Sequence, residues 1–286
     1  MSNQLPQGPG SGRVVLTTGA NSGIGLATAV ELARRGFVSV GSVRSDAKGE
    51  VLRQEAAEAG VPVDVVVFDV TDADGCERAI NEIVARHGSL FGLVNNAGYA
   101  LSGAVEDVSD ADARRILETM VLAPARLARL SLPHLRAGGN GRIINISSVY
   151  GRTTSPLSGW YQACKHAMEG LSDALRMEVA ADNVQVVLIE PGTFRTSIWE
   201  DVERVDAQRD ESRYAEAYQR ARRALELTAP IMGDPSSCAS TIAKALETRM
   251  PRARYLVGAD AHVLAFTSTF TPTIVKDRVT RLVMGL

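Results

Sequence analysis

Tyr161 and Lys165 are the residues of this chain best placed to do chemistry. In Tyr161-Gln-Ala-Cys-Lys165 they stand four positions apart, so on a helix they share a face one turn apart. A phenol, with an unperturbed pKa of about 10, is too weak an acid to be half ionised at neutral pH. An ammonium held close by favours the phenolate, so the pair predicts a Tyr that gives or takes a proton near pH 7. A third group must hold the substrate oxygen. Ser148 is placed for that, at the end of the apolar run Arg142-Ile-Ile-Asn-Ile-Ser-Ser148, which reads as a buried strand. A Tyr followed by a Lys at this spacing is also common on ordinary solvated helices, so the surrounding elements decide what the pair means.

Those elements alternate. Arg13–Thr18 is a short β-rich run that leads into Gly19-Ala-Asn21-Ser22-Gly23-Ile24-Gly25, then a helical pattern that stops at Gly36. Strand, glycine turn and helix together make a phosphate cradle. The glycines allow close approach, and the helix start offers free N–H groups and the positive end of its dipole. Phe37–Val43 reads as the second strand. In dinucleotide folds an acid after this strand bonds the ribose 2′-hydroxyl, whereas an Arg accommodates a 2′-phosphate. Here Val43 is followed by Arg44, with no carboxylate before Asp46, which favours NADP(H) over NAD(H).

The alternation continues with a helix over Ser45–Gly60, a Val-rich strand over Pro62–Phe68, a helix to His87 and a strand over Leu90–Val94. A long helix is predicted over Asp107–Arg136, bent near Pro124, then a strand over Gly141–Ser147. The helix carrying the pair spans Ser158–Ala181, followed by a strand over Val184–Ile189. The pattern predicts an α/β fold: a single Rossmann-type, doubly wound parallel sheet of about seven strands flanked by helices. From Thr193 to Gly233 the alternation breaks, and a charged helical stretch over Glu200–Leu227 suits a helical lid over a substrate crevice. A helix over Pro235–Arg249 and a strand over Arg254–Val257 follow. Met1–Gly12 reads as a disordered lead-in, and residues 13–286 as one domain.

Bulk properties narrow the class. The 286 residues are 45% hydrophobic and 22% charged, with a net charge of −2, so nothing draws the chain to nucleic acid or to an anionic membrane. No apolar run reaches the length of a membrane-spanning helix. Three scattered cysteines fit a reducing cytoplasm, and the four histidines show no metal-ligand spacing, so no metal is assigned.

Taken together, Thr18-Gly19-Ala-Asn-Ser-Gly23-Ile-Gly25, Asp69-Val70, Asn95-Asn-Ala-Gly98, Ser148, Tyr161-x3-Lys165 and Pro191-Gly192-x3-Thr196 resemble the short-chain dehydrogenase/reductase family over roughly residues 13 to 260. The resemblance implies an NAD(P)-dependent oxidoreductase that moves a hydride between nicotinamide and a carbonyl or secondary alcohol. It implies Tyr161 as general acid/base, Lys165 lowering the Tyr161 pKa and bonding the nicotinamide ribose, and Ser148 bonding the substrate oxygen. Gly19, Asn21, Ser22, Gly23, Ile24 and Gly25 would wrap the pyrophosphate. Asp69 and Val70 would meet the adenine, Asn96, Ala97 and Gly98 the adenosine side, and Pro191, Gly192, Thr193 and Thr196 the nicotinamide. Phe91-Gly-Leu-Val-Asn-Asn and Ile189-Glu-Pro-Gly look like the branch acting on hydroxysteroids, retinoids and related lipophilic alcohols, with Trp199, Phe194, Phe266 and Phe270 as apolar pocket candidates. The family usually forms dimers or tetramers through its two long helices. One position departs from the pattern: Met120 stands where the family has an Asn that helps link the Lys to solvent, which implies a slower or rerouted proton relay. Two other readings remain open: a dinucleotide-binding sensor or scaffold that has lost catalysis, and altered chemistry on the same scaffold, such as imine reduction.

Overall fold

The computed structural model describes Gly10, residues 12–196 and residues 211–286. Among them, seven strands form one parallel sheet: β1 (Val14–Thr17), β2 (Val38–Val43), β3 (Asp64–Val67), β4 (Gly92–Asn95), β5 (Arg142–Ile146), β6 (Gln185–Pro191) and β7 (Arg254–Val257). Their order is β3-β2-β1-β4-β5-β6-β7. The helices that position the site are α1 (Gly23–Arg34), α2 (Asp46–Glu58), α3 (Ala73–His87), α4 (Asp110–Leu117), α5 (Ala123–Ala137) and α6 (Gly159–Glu178).

Alternate strand residues face opposite layers, and with helices on both faces the strands are largely apolar on each side, as β1 (VVLT) is. Val14 and Leu16 of β1 pack with Ile80 and Ile83 of α3 and Leu127 and Leu135 of α5. Val15, between them, packs with Leu32 of α1 and with Ile242 and Leu246 of the helix Pro235–Glu247. The sheet is therefore doubly wound, as the alternation predicts. Strand order reverses at β1, which pairs with β2 on one side and β4 on the other. The segments leaving β1 and β4 diverge there and open a crevice at the carboxyl edge.

The helix predicted over Asp107–Arg136 is divided in three. Ser109 caps α4, its Oγ accepting from the Asp112 N–H at 3.1 Å. A π-helical turn, Glu118–Leu122, follows, and then α5. Pro124 has no N–H to give the Met120 carbonyl, and the wide turn before it absorbs that break.

The start of α6 is set by Leu157, whose φ of 66° is unusual for a bulky residue. Its side chain is buried and its carbonyl accepts from the Gly103 N–H at 2.7 Å, which holds the turn in place.

Part of the predicted lid, residues 197–210, lies outside the described residues; the rest includes the helix Ala215–Thr228. Its Tyr218 does not sit on a solvated face: it is 1% exposed, accepts from the Ala104 N–H at 2.7 Å and donates to Asp107 Oδ2 at 2.8 Å. Two C-terminal helices, Ala259–Phe270 and Thr273–Met284, follow β7, where no element was predicted. No helix among the described residues is long and apolar enough to cross a membrane.

Candidate active site

Ser148, Tyr161 and Lys165 meet at the carboxyl edge of the sheet. Ser148 follows β5 and caps the 3₁₀ turn Val149–Gly151, its Oγ accepting from the Tyr150 N–H at 3.1 Å. Tyr161 lies in the first turn of α6, shares a hydrogen bond with Ser148 and meets Tyr150 edge-on, ring centroids 6.4 Å apart. Lys165, one turn further, is 6% exposed; its Nζ lies 5.5 Å from the Tyr161 ring centroid and donates to the Ile146 carbonyl at 2.7 Å.

The electrostatics differ from the expectation. Burial pushes the Tyr161 phenol up to about 12, against a weaker downward pull from the Ser148 hydrogen bond. Burial also lowers Lys165 to about 8. Desolvation of a buried charge outweighs the attraction expected to favour the phenolate, and the Lys165 ammonium gives a hydrogen bond to a backbone carbonyl. At neutral pH this arrangement holds a phenol ready to donate beside a Lys poised to change charge.

The glycine loop forms a cradle that side chains would close. Gly19 has φ +66°, and a Cβ there would stand 3.0 Å from the Ala97 Cα; Gly23 has φ +55°. A Cβ on Gly25 would stand 2.2 Å from the Gly19 carbonyl oxygen and 2.4 Å from Asn96 Nδ2. The first turn of α1 carries no carboxylate, and the side chain of Ser22 does not cap it. The Asn96 side chain, expected along an adenosine, holds the loop: Nδ2 donates to the Thr18 carbonyl at 2.9 Å and the Gly19 carbonyl at 3.2 Å. Thr18 Oγ1 accepts from the N–H groups of Asn96 and Ala97 at 3.0 and 2.9 Å. Asn21 lies in the same loop, and Ile24 in the first turn of α1, packed against the core beneath it.

Several of the remaining candidates follow the carboxyl ends of other strands: Arg44 after β2, Asp69 and Val70 after β3, and Gly192, Thr193 and Thr196 after β6. Arg44, at the end of β2, is exposed and has no ion pair among the described residues. Asp69 is exposed and folds back on Thr71, accepting from its N–H at 2.9 Å and its hydroxyl at 2.8 Å. The Val70 carbonyl accepts from Arg126 at 3.1 Å. After β6, which ends at Pro191, the Gly192 N–H donates to the Val257 carbonyl at 2.9 Å and the Thr193 N–H to Asp260 Oδ2 at 2.6 Å. A Cβ on Gly23 would touch the Thr196 methyl at 2.9 Å, so this segment faces the glycine loop. Trp199 lies outside the described residues. Phe194, a pocket candidate, is core instead, paired with Gly233 and packed with Ile189 and Val257, whereas Phe266 and Phe270 are exposed. Met120 is 1% exposed and packs with Leu101, Ile116 and Cys164 against Tyr99, Trp160 and Tyr161, forming an apolar wall; Gly98 lies next to it.

A polar cluster under α6 was not singled out from the sequence. Glu190 of β6 is fully buried, paired with Arg152 at 2.8 Å and Arg254 at 3.3 Å. Arg254 also pairs with Glu169 at 3.0 Å and Asp173 at 2.6 Å. Burial raises the Glu190 carboxyl, offset in part by Arg152. The available signal was a carboxylate at the end of an apolar strand run, and a second one turn after Lys165. No group of three or more His, Cys, Asp or Glu among the described residues could hold a metal ion.

The tight cradle, the helix start free of carboxylates and the exposed Arg44 fit the phosphates of a dinucleotide. Known proteins resemble this chain over most of its length. The sequence profile of the short chain dehydrogenase family matches residues 13–207. The uncharacterized oxidoreductase YusZ of Bacillus subtilis is 34% identical over 90% of this chain and 94% of its own. Retinol dehydrogenase 5 of Mus musculus is 31% identical over 95% and 88%. Among solved structures, a variant of actinorhodin polyketide ketoreductase with NADPH has a TM-score of 0.76 at 28% identity, covering 90% of this chain and 98% of that one. By the extent of these matches and by its fold, the chain belongs to the short-chain dehydrogenase/reductase family of NAD(P)-dependent oxidoreductases.

Proposed function

We propose that this protein is an NADP(H)-dependent reductase of lipophilic ketones, and in reverse a dehydrogenase of the corresponding secondary alcohols. The convergence of Ser148, Tyr161 and Lys165 beside the glycine cradle carries the reading. When bound, the nicotinamide supplies or accepts the hydride. The loop Gly19–Gly25 would hold its pyrophosphate through backbone N–H groups, with Asp69, Val70, Ala97 and Gly98 bordering the adenosine. Gly192, Thr193 and Thr196 would border the nicotinamide. Arg44 is available to a 2′-phosphate, and the ketoreductase neighbour with NADPH supports that preference. Ser148 donates to the substrate oxygen and stabilises the charge that develops there. Tyr161, kept as the phenol by burial, gives that oxygen its proton. Lys165 resupplies Tyr161.

The apolar wall of Met120, Leu101 and Ile116 beside Tyr161 favours a lipophilic substrate, in keeping with the name of the retinol dehydrogenase relative. The exposed Leu171 and Met177 of α6 and Leu122 before α5 support assembly as a homodimer or homotetramer.

The deciding experiment follows NADPH consumption over a panel of apolar and polar ketones. We expect turnover by the parent, a fall of at least about a hundredfold in Tyr161→Phe, and unchanged NADPH affinity in that variant. Parental turnover in Tyr161→Phe would overturn the mechanism. Silence from the parent with NADPH still bound would favour a binding protein. In the same assay Arg44→Ala should weaken NADPH about tenfold to a hundredfold and leave NADH unchanged.

A further inference from the structure

The helix that carries Tyr161 does not fix its own start. Ser158, at the N-terminal boundary of α6, gives it no side-chain cap, and the first turn carries no carboxylate. Gln162 reaches back to Ser155, accepting from its N–H and donating to its carbonyl, both at 3.2 Å. Between the two, Leu157 stands in the left-handed region at φ 66°. A residue with a Cβ avoids that region because the Cβ crowds the following carbonyl oxygen. Such a conformation persists only where the surroundings hold it, and Tyr161 is four residues further on.

One loop does the holding. Residues 103–107, between β4 and α4, run against three consecutive residues at the start of α6. The Gly103 N–H donates to the Leu157 carbonyl at 2.7 Å, Gly103 pairs with Ser158, and a Cβ on Gly159 would stand 2.9 Å from a Val105 methyl. The loop in turn is held by Tyr218 of the helix Ala215–Thr228. Its hydroxyl accepts from the Ala104 N–H at 2.7 Å and donates to Asp107 Oδ2 at 2.8 Å, so one oxygen spans the loop. Ser212 Oγ donates to the same Asp107 oxygen at 2.7 Å. The buried side chains of Tyr218 and Leu157 share one cluster with Ala104 and Ala217. Tyr218 therefore supports the strained turn twice, by packing in its cluster and by bonding the loop that grips it.

The other parts of the site have their own supports. Lys165 is fixed by the Ile146 carbonyl, Ser148 by the Tyr150 N–H, and the glycine loop by Asn96 and Thr18. Of these groups, Tyr161 alone stands in the turn that the loop grips.

We infer that Tyr218 is a positioning residue for Tyr161: through residues 103–107 it holds the strained Leu157 turn, and through that turn the place of the first turn of α6. The inference rests on the reductase reading. The phenol must meet the substrate oxygen at hydrogen-bond distance while Ser148 bonds the same atom, and a small displacement of the first turn separates them. The hydroxyl of Tyr218 touches neither substrate nor cofactor; it acts through the backbone of two loops.

Kinetics and hydrogen exchange test this together. In Tyr218→Phe, which keeps the ring and removes the hydroxyl, kcat for ketone reduction should fall about tenfold, with the NADPH dissociation constant at the parental value. Glycine takes a positive φ without steric cost, so Leu157→Gly frees the turn from its need for support. In that background Tyr218→Phe should cost less than about twofold, whereas a residue that merely fills the core would cost the same in both. Amide exchange in Tyr218→Phe without substrate should speed up over residues 157–165 and stay parental in α1 and in the second half of α6. Parental kcat in Tyr218→Phe, an equal loss in both backgrounds, or exchange that rises throughout the domain or nowhere each overturns the proposal, as does a Tyr218→Phe that fails to fold. If Leu157→Gly unfolds, the kcat of Tyr218→Phe and its exchange pattern decide. An inactive parent sinks the reductase reading, and the exchange pattern alone then decides whether Tyr218 sets the start of α6.

Discussion

Lys165 holds a proton below about 8 and loses it above. In the proposed scheme ketone reduction draws on the ammonium, so its rate should fall as pH rises through that value. Alcohol oxidation needs Tyr161 to accept a proton, and a neutral Lys165 can take it onward, so that rate should rise over the same range. Paired pH–rate profiles in the two directions check this; profiles that move together would show that a different group sets them. Tyr161, pushed to about 12, should contribute no titration of its own near neutrality. The active-site groups thus divide the work. The phenol stays in one protonation state in the resting enzyme, and the amine beneath it is the group that changes charge.

Among the elements, the joint between β1 and α1 is the least tolerant of change. Gly25 lies within the helix, where its backbone conformation would admit alanine, but a methyl would strike the Gly19 carbonyl and the Asn96 amide. Gly25→Ala should therefore destabilise the fold by about 1–3 kcal/mol and weaken NADPH binding, since α1 must move off the loop; urea denaturation and a binding titration read the two effects. This joint was legible in the sequence because all its parts are neighbours in the chain: strand, glycines and helix start. Tyr161 and Lys165 were legible for the same reason. The π-turn at Glu118–Leu122 was only half legible, since Pro124 announces a break but not how the chain absorbs it. The burial of Tyr218 could not be read from the charged stretch that carries it, because its partners, Ala104 and Asp107, lie more than a hundred residues earlier. The cluster of Glu169, Glu190, Arg152 and Arg254 was invisible because each member comes from a different segment, and a charged residue looks like surface until its counter-ions are known.

For the molecule as a whole, every neighbouring pair in the sheet is parallel, so none is joined by a hairpin. Thr18, just past the end of β1 where the strand order reverses, bonds to Val94, 76 positions away. The chain therefore gains little from local pairing as it collapses, and must close long loops before its central strands find each other. Refolding from urea should be slow, should pass through a collapsed species with helix but without fixed packing, and should compete with aggregation as concentration rises. Stopped-flow circular dichroism beside recovered NADPH binding would show helix signal returning well before the cradle does. A cofactor cradle built where the strand order reverses thus comes with a kinetic liability: the joint of β1 and β4, proposed to hold the dinucleotide, is among the last parts of the molecule to exist.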